Sequence, residues 1–201
     1  TAQISNLTTD QLVAIETADL AKMETNDLQA LTTKQFAAFT SRQVGALSTL
    51  QIANMASDDI AVLTSSALDG LTTTQIQSFT TDQIQSLTSA QINSLSTAQT
   101  AAILTSQLQA MTTNQFVGLN SAQLAGMSTL QITKLETSDI AALTTAALQG
   151  LTTDQISLNS GTTDQISVLT TDQLIAMTSN QFASLKTAVI AALNTVQINK
   201  L

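Results

Sequence analysis

The sequence predicts an all-α protein, an α-solenoid built from very short capped helices. Three observations predict this class: an eight-residue repeat that fills the chain, a helix N-cap signal at one fixed place in each repeat, and a composition poor in the residues of catalytic and metal sites. A helix of eight residues is unstable alone in water, so such units have to stack on one another.

The composition of the 201-residue chain excludes several function classes. It contains no His and no Cys, which removes the imidazole base, the thiolate nucleophile and the usual zinc ligands. A net charge of −8 with only six Lys and Arg argues against nucleic acid and against anionic membrane surfaces as partners. No stretch is long and apolar enough for a transmembrane helix, so we expect no membrane insertion.

The repeat becomes visible when the sequence is aligned from Leu7 in steps of eight, which gives 24 full units. Position one and position six are each apolar in 23 of the 24 units. Position three is Ser or Thr in all 24, and position five is Gln in 17. The consensus is L-T-T-x-Q-I-x-A/S, and repeats of such short period indicate a solenoid.

The register slips by two residues near the C-terminal end of the chain. We therefore predict an octapeptide-repeat solenoid over 1–158, a two-residue insert at 159–161, and a continuation of the same solenoid over 162–201. A surface bulge is favoured over a hinge for the insert, since insertions map to loops in repeat proteins.

The eight-residue period excludes the two simplest regular structures. Eight residues make about 2.2 helical turns, so an apolar stripe would wind around a continuous helix. On a flat strand, positions one and six would point to opposite faces. A β-solenoid with a corner inside each unit stays an alternative, although the chain has only six Gly for such corners.

Short helices fit the pattern because the consensus L-T-T-x-Q-I matches helix positions N′, N-cap, N1, N2, N3 and N4. Thr at the N-cap with Gln at N3 is a capping box, and the two apolar residues make a hydrophobic staple. At N2, acidic side chains favour the positive end of the helix dipole; these are Asp10, Asp82, Asp154, Asp164 and Asp172. The uniform Ser or Thr at position three allows two interpretations: capping from that position in units such as Glu16–Asp19, or a hydroxyl ladder between layers.

A longer period of 80 residues relates the segment starting at Leu31 to the segment starting at Met111. Ten units divide evenly into coils of two units and do not divide into coils of three. We therefore expect about two units per coil, about twelve coils and an extended rod.

The side chains that could take part in catalysis are the carboxylates and the serines. Asp58–Asp59 is the one adjacent acidic pair, and general acid–base catalysis needs two carboxylates that converge in a cleft. A serine nucleophile lacks a histidine base. Because these residues fall on repeat positions explained by capping or exposure, we predict no catalytic, cofactor-binding or metal-ligating residue, no cofactor and no enzyme activity.

The run LTTDQISLNSGTTDQISVLTTDQLIAMTSNQF resembles the Thr/Gln-rich octapeptide tracts of large bacterial secreted and surface proteins of the adhesin-like kind. This resemblance implies a spacer, stalk or filament-forming segment at the cell surface or outside the cell. The expected partner is the chain itself, by end-to-end stacking, or further repeats of a longer array. The alternatives are a solenoid that binds a protein or glycan, and a Thr-rich face that binds ice or a mineral.

Overall fold

A computed structural model of the chain describes residues 4–159, 165 and 168–200. Over these residues the chain forms helices and no strand, so the predicted all-α solenoid is confirmed. A 3₁₀ turn, Ile4–Asn6, precedes the first α-helix. The α-helices have four to seven residues and follow the octapeptide: α1 Thr9–Val13, α2 Thr17–Leu20, α3 Thr25–Leu28, α4 Thr33–Phe36, α5 Ser41–Ala46, α6 Thr49–Ala53, α7 Ser57–Ala61, α8 Ser65–Leu68, α9 Thr73–Ser78, α10 Thr81–Ser86, α11 Ser89–Ser94, α12 Thr97–Ala102, α13 Thr105–Ala110, α14 Thr113–Val117, α15 Ser121–Gly126, α16 Thr129–Thr133, α17 Thr137–Ala142, α18 Thr145–Leu148, α19 Thr153–Asn159, α20 Thr171–Ala176, α21 Ser179–Ala183, α22 Thr187–Ala192 and α23 Thr195–Ile198.

Most helices begin with the predicted capping box, although α2, α3, α7, α8, α18 and α22 lack it. In α10, Thr80 Oγ1 accepts a hydrogen bond from the Gln83 backbone N–H at 3.2 Å, and Gln83 Oε1 accepts one from the Thr80 N–H at 2.9 Å. The N-cap lies at position two wherever a cap is described, including the units that carry Glu16, Glu24 and Glu136 there. The interpretation that these units cap from position three is therefore wrong.

The helices end without a left-handed glycine, and α15, whose last residue is Gly126, is no exception. In α9, the Phe79 N–H donates to the Ile76 carbonyl three residues back, at 3.2 Å, and Phe79 itself is extended, with φ −61° and ψ 137°. The next residue, Thr80, is also extended and caps the following helix. No described residue has a positive φ. Wherever the C-cap lies at position one, as in α9 and α10, two extended residues form the corner, and the scarcity of Gly is no obstacle.

The chain divides into two compact units, Thr1–Ile103 and Leu104–Leu201. In the first unit every helix packs on the third helix after it. Three rows result, one with α1, α4, α7 and α10, one with α2, α5, α8 and α11, and one with α3, α6, α9 and α12.

One coil therefore contains three units, or 24 residues, and the expectation of two units per coil is wrong. The 80-residue period does not fix the number of units per coil, because all corners of a coil are nearly equivalent. A duplicated block of ten units then fits without being a whole number of coils.

In the second unit, helices three octapeptide units apart again pack on each other, along α13, α16, α19 and α21, and along α15, α18, α20 and α23. The unit 161–168 lies mostly outside the described residues and carries no helix number, so it accounts for the smaller steps from α19 to α21 and from α18 to α20. The predicted insert at 159–161 lies mostly outside the described residues. Around it, Gln155 contacts the Met127 carbonyl 28 residues back, Gln173 contacts Leu143 at a separation of 30, and Gln197 contacts Leu169 at 28 again. The bridge that spans this part of the chain is thus two residues longer, and its acceptor is still the position-one residue three units earlier. The domain boundaries drawn from the sequence stay a prediction.

The core consists of the apolar residues at positions one and six. Within the first unit, position-six residues such as Ile52, Ile76 and Ile84 are fully buried, and those at position one are nearly so from Leu31 onward. Thr100 is the polar exception at position six; it is fully buried, and its hydroxyl donates to the Ser96 carbonyl at 3.0 Å. Burial of two apolar residues in every unit supplies the main stabilising free energy of the solenoid.

Candidate functional site

The feature that organises the molecule is a hydrogen bond between coils, made by the Gln at position five. Gln83 Nε2 donates to the carbonyls of Met55 at 2.7 Å and Ile52 at 2.8 Å, both in the preceding coil. The same side chain accepts from the N-cap with its Oε1. We call this two-sided contact a glutamine bridge. The Met55 carbonyl lies at the corner that follows α6, and the Ile52 carbonyl accepts the amide in addition to the Met55 N–H at 3.1 Å, so the bridge supplies donors to the end of a short helix.

Glutamine bridges recur along both units at a constant register. The acceptor is always the position-one carbonyl three units earlier, and in most cases a position-six carbonyl as well. The donors with described bridges are Gln35, Gln43, Gln51, Gln75, Gln83, Gln91 and Gln99 in the first unit, and Gln155, Gln165, Gln173, Gln181 and Gln197 in the second.

The bridge explains why position five is Gln. A capping box accepts Glu as readily as Gln, and the helix dipole favours Glu in the first turn. The sequence nevertheless has Gln in 17 units and Glu in none. The amide NH₂ is needed because it is the donor that reaches the preceding coil. This second role was missed in the analysis of the sequence, although the missing Glu is a signal of it.

The series of bridges is interrupted at the same place in each 80-residue block. Asp59 and Ala67 occupy position five of consecutive units in the first block, and Asp139 and Ala147 do so in the second. All four side chains are buried. Neither alanine can donate a hydrogen bond, and an ionised aspartate only accepts. The two alanine units are therefore joined to the preceding coil by packing, whereas Asp139 accepts a hydrogen bond from the Thr113 hydroxyl of that coil.

Close backbone packing accompanies the alanine units. A Cβ atom added to Gly70 would overlap the backbone of Ser41 in the preceding coil, and one added to Gly150 would overlap Ser121. Gly45 lies against the same contact, with its ideal Cβ only 2.6 Å from the Gly70 carbonyl oxygen. At Gly70 and Gly150, both at position eight, the lack of a side chain thus permits the close approach of two coils.

The buried aspartates have perturbed acidity. Burial raises the pKa of the Asp59 carboxyl from 3.8 to about 6; the neighbouring Asp58 charge adds to this, and the Ala56 N–H opposes it. Burial also raises the pKa of Asp139, against hydrogen bonds from the Glu136 N–H and the Thr113 hydroxyl. Perturbed carboxyls can mark functional sites. Here each accepts from its own N-cap, and Asp58 is exposed, so the Asp58–Asp59 pair does not converge in a cleft.

The outer surface presents positions two to four, which are mostly exposed. Thr25, Thr49, Thr73 and Thr97 occupy position three of α3, α6, α9 and α12, the helices of one row in the first unit. The hydroxyl-ladder interpretation of position three agrees with this alignment. Each row therefore carries a column of small hydroxyl side chains along the direction of stacking.

Other site chemistry was sought among the described residues. The five lysines are exposed, and within residues 4–159, 165 and 168–200 no three acidic side chains cluster as metal ligands would. No helix in this part of the chain is both long and apolar enough to cross a bilayer.

The geometry defines a class: a helical octapeptide-repeat solenoid with three units per coil, joined by glutamine bridges. A model of the ALTTAQ repeat matches residues 12–49, 20–57, 52–89, 100–137 and 132–160, which together cover well over half of the sequence. The chain belongs to the ALTTAQ repeat family. Every match begins at position six of a unit, so the family repeat has the register of the octapeptide. No curated protein matches the chain.

Proposed function

We propose that the chain is a non-catalytic structural repeat, a rod-like spacer or stalk segment of an extracellular or cell-surface protein. One observation carries this proposal: where position five is Gln and its bridge is described, as at Gln83, that polar side chain is consumed by contacts to its own N-cap and to the preceding coil. A structure in which each coil binds only its neighbours lengthens by addition of units without a new core. That property suits a spacer.

The experiment compares the chain with a version lengthened by a second copy of residues 31–102, which is nine units and therefore three coils. Small-angle X-ray scattering at low protein concentration gives the maximum dimension and the cross-sectional radius of gyration. We expect the dimension to grow in proportion to the added coils at constant cross-section. A cross-section that increases with length contradicts the spacer proposal, since a globule grows in all directions.

The proposed location rests on the resemblance to tracts of bacterial surface proteins and on the absence of Cys, which suits an exported chain. An antibody raised against the chain, applied to intact and to permeabilised cells of the source organism, tests it. Labelling of intact cells supports a surface location, and labelling only after permeabilisation contradicts it.

A second candidate, binding of ice or a mineral, is favoured by the column of Thr25, Thr49, Thr73 and Thr97 on one row. A regular column of hydroxyl and methyl groups suits an ordered lattice as ligand. Thermal hysteresis or inhibition of crystal growth is the measurement. Thr49→Lys with Thr73→Lys is expected to abolish the effect, whereas Asp58→Lys, on another row, leaves it in place.

A further inference from the structure

We propose that the interface between the coil α4–α6 and the coil α7–α9 is a pH-controlled joint. The joint is closed while the carboxyl group of Asp59 carries a proton, and it opens before the other coil interfaces of the first unit when Asp59 is ionised. This device is separate from the spacer role. Two observations carry it: the uneven distribution of glutamine bridges among the coil interfaces, and the buried place that Asp59 takes in one of them.

The coil interfaces of the first unit differ in the number of glutamine bridges that join them. The interface before the joint and the interface after it have three bridges each. The donors of these bridges are Gln35, Gln43 and Gln51 before the joint, and Gln83, Gln91 and Gln99 after it. At the joint itself, where every residue is described, Gln75 is the one bridging donor, because Asp59 and Ala67 hold position five of α7 and α8.

Asp59 occupies the place of a bridging glutamine. In the described bridges the position-five amide donates to the position-one carbonyl three units earlier, which for Asp59 is the carbonyl of Leu31. The Asp59 side chain is 8% exposed, and its carboxyl group accepts a hydrogen bond from the Ala56 N–H. A carboxylate can only accept, whereas a protonated carboxyl group also has one O–H to donate. The protonated group therefore serves both ends of a bridge, as the glutamine amide does.

An aspartate at position five reaches the preceding coil, although its side chain is one methylene shorter than that of glutamine. Asp139 has this position in the second block, and its carboxylate accepts a hydrogen bond from the Thr113 hydroxyl of α14, the helix on which α17 packs. At the joint, the close approach of Gly70 to the Ser41 backbone brings the end of α8 against α5. The two coils therefore come together beside Asp59 without a second glutamine bridge.

The charged side chains around Asp59 do not share its burial. The helices packed on α7 are α4 and α10, which carry Lys34 and Asp82, and α7 itself carries Asp58. All three side chains are exposed. An ionised Asp59 therefore lies at the joint with the Leu31 carbonyl as a second acceptor opposite it, and its burial without a donor from the preceding coil favours separation of the coils.

The closed joint binds the Asp59 proton more tightly than the open joint does. Burial raises the pKa of this carboxyl group from 3.8 to about 6, and the charge of Asp58 adds to the effect. The stabilisation of the closed joint is therefore complete below pH 3.8 and is lost as the pH rises through 6. For a group with these two pKa values, the population of the open joint should rise by about 50-fold between pH 4 and pH 7.

The experiment measures amide hydrogen exchange of the whole chain by mass spectrometry at pH 4 and at pH 7. Each exchange rate is divided by the intrinsic rate of an unfolded amide at the same pH, so that the remaining change reports the opening of structure. We expect the protection of amides in α4, α5, α7 and α8 to fall by about 50-fold from pH 4 to pH 7. The protection of α11 and α12, which lie beyond a fully bridged interface, should fall much less.

Three variants assign the effect to Asp59. Asp59→Gln supplies a permanent donor, so the protection at the joint should become equal at the two pH values. Gln83→Asp should transfer the pH dependence to the interface between α7–α9 and α10–α12. Asp82→Asn is the matched control, because it removes an exposed carboxylate from a helix packed on α7 and should leave the joint unchanged. If Gln83→Asp fails to fold, the comparison of Asp59→Gln with the wild type decides.

Three outcomes overturn the proposal. Protection in the wild type that does not change with pH means that the joint stays closed. A change that is equal in all helices means that the coils open together. A pH dependence that persists in Asp59→Gln belongs to another group. None of these outcomes affects the lengthening of the rod in the scattering experiment, so the joint and the spacer role fail separately.

Discussion

The side-chain amide of Gln83 lies 2.7 Å from the carbonyl oxygen of Met55, and this contact spans 28 residues of sequence. Three units of eight residues make one coil of 24, and the further four residues are the distance from position one to position five. The separation recurs from Gln35 to Leu7 and from Gln99 to Leu71, so the amide fixes the same coil throughout the first unit.

Replacing that amide by a carboxylate should cost the coil interface most of its polar contribution. Gln83→Glu keeps the acceptor of the capping box but turns two donated hydrogen bonds into repulsion between a buried anion and two carbonyls. We expect a loss of about 3–5 kcal/mol in the free energy of unfolding at neutral pH, measured by denaturant titration followed by circular dichroism.

Gln11→Glu is the matched control for this substitution. Gln11 makes the same capping box with Thr8 but is exposed and has no glutamine bridge among the described residues. Its change to Glu should alter stability by less than about 0.5 kcal/mol. Equal losses in the two variants would show that Gln acts through the cap alone.

Gly70 should tolerate no side chain. The ideal Cβ overlaps the Ser41 backbone, which belongs to another coil and cannot rotate away. Gly70→Ala should therefore destabilise by about 3 kcal/mol in thermal or chemical unfolding. Gly126, also at position eight, is exposed, and Gly126→Ala should stabilise by about 0.5–1 kcal/mol, as the helix propensity of Ala dictates. A neutral Gly70→Ala variant would mean that the coils are free to move apart.

The capping boxes of this fold could be predicted from the sequence, whereas the number of units per coil could not. Thr80 with Gln83, and the other boxes like them, were predictable because capping involves residues three apart in one helix. Coil size depends on how far the chain turns at two extended corner residues, such as Phe79 and Thr80. Leu, Phe, Thr and Ser adopt extended torsions over a wide range, so no residue type encodes that angle.

The candidate site residues show the same difference between local roles, which the sequence predicts, and contacts to another coil, which it does not. The cap role of Gln is local and was found, whereas its donation to Met55 crosses 28 residues and becomes evident only once the coil is known. Burial of Asp59 was likewise not expected from its polarity. The signal in the sequence was that it replaces Gln at position five.

Thr100 is a core position at which a substitution is expected to stabilise the protein. It is the fully buried polar residue in the position-six column that also holds Ile52 and Ile76. Thr100→Ile removes a hydroxyl that bonds only within its own helix and adds apolar volume matching its row neighbours. We expect stabilisation of about 1 kcal/mol and a higher midpoint of thermal unfolding. Thr97→Ile, at an exposed position three of the same helix, should give no such gain, and a destabilised Thr100→Ile variant would show that the site has no room.

The buried Asp59 predicts a dependence of stability on pH whose sign is unusual for an aspartate. Its pKa is about 6 in the folded chain against an ordinary value of 3.8 for an aspartate carboxyl, so the folded state binds the proton more tightly than the unfolded state does. The stabilisation from this group is complete below pH 3.8 and is lost as the pH rises toward 6. The two pKa values bound the loss at about 3 kcal/mol.

Asp59→Asn isolates the contribution of the Asp59 charge to stability, since Asn keeps the acceptor for the Ala56 N–H and carries no charge. The difference in unfolding free energy between this variant and the wild type should be small near pH 4 and should grow to about 2–3 kcal/mol in favour of Asn at pH 7. Asp82→Asn, at an exposed position four, should show no such growth. A difference in unfolding free energy that stays constant over this pH range, or that favours Asp59 at neutral pH, would mean that the Asp59 carboxylate is stabilised where it lies. A cation or a hydrogen-bond donor would then be needed to balance its charge at this unit, where the glutamine bridges are interrupted.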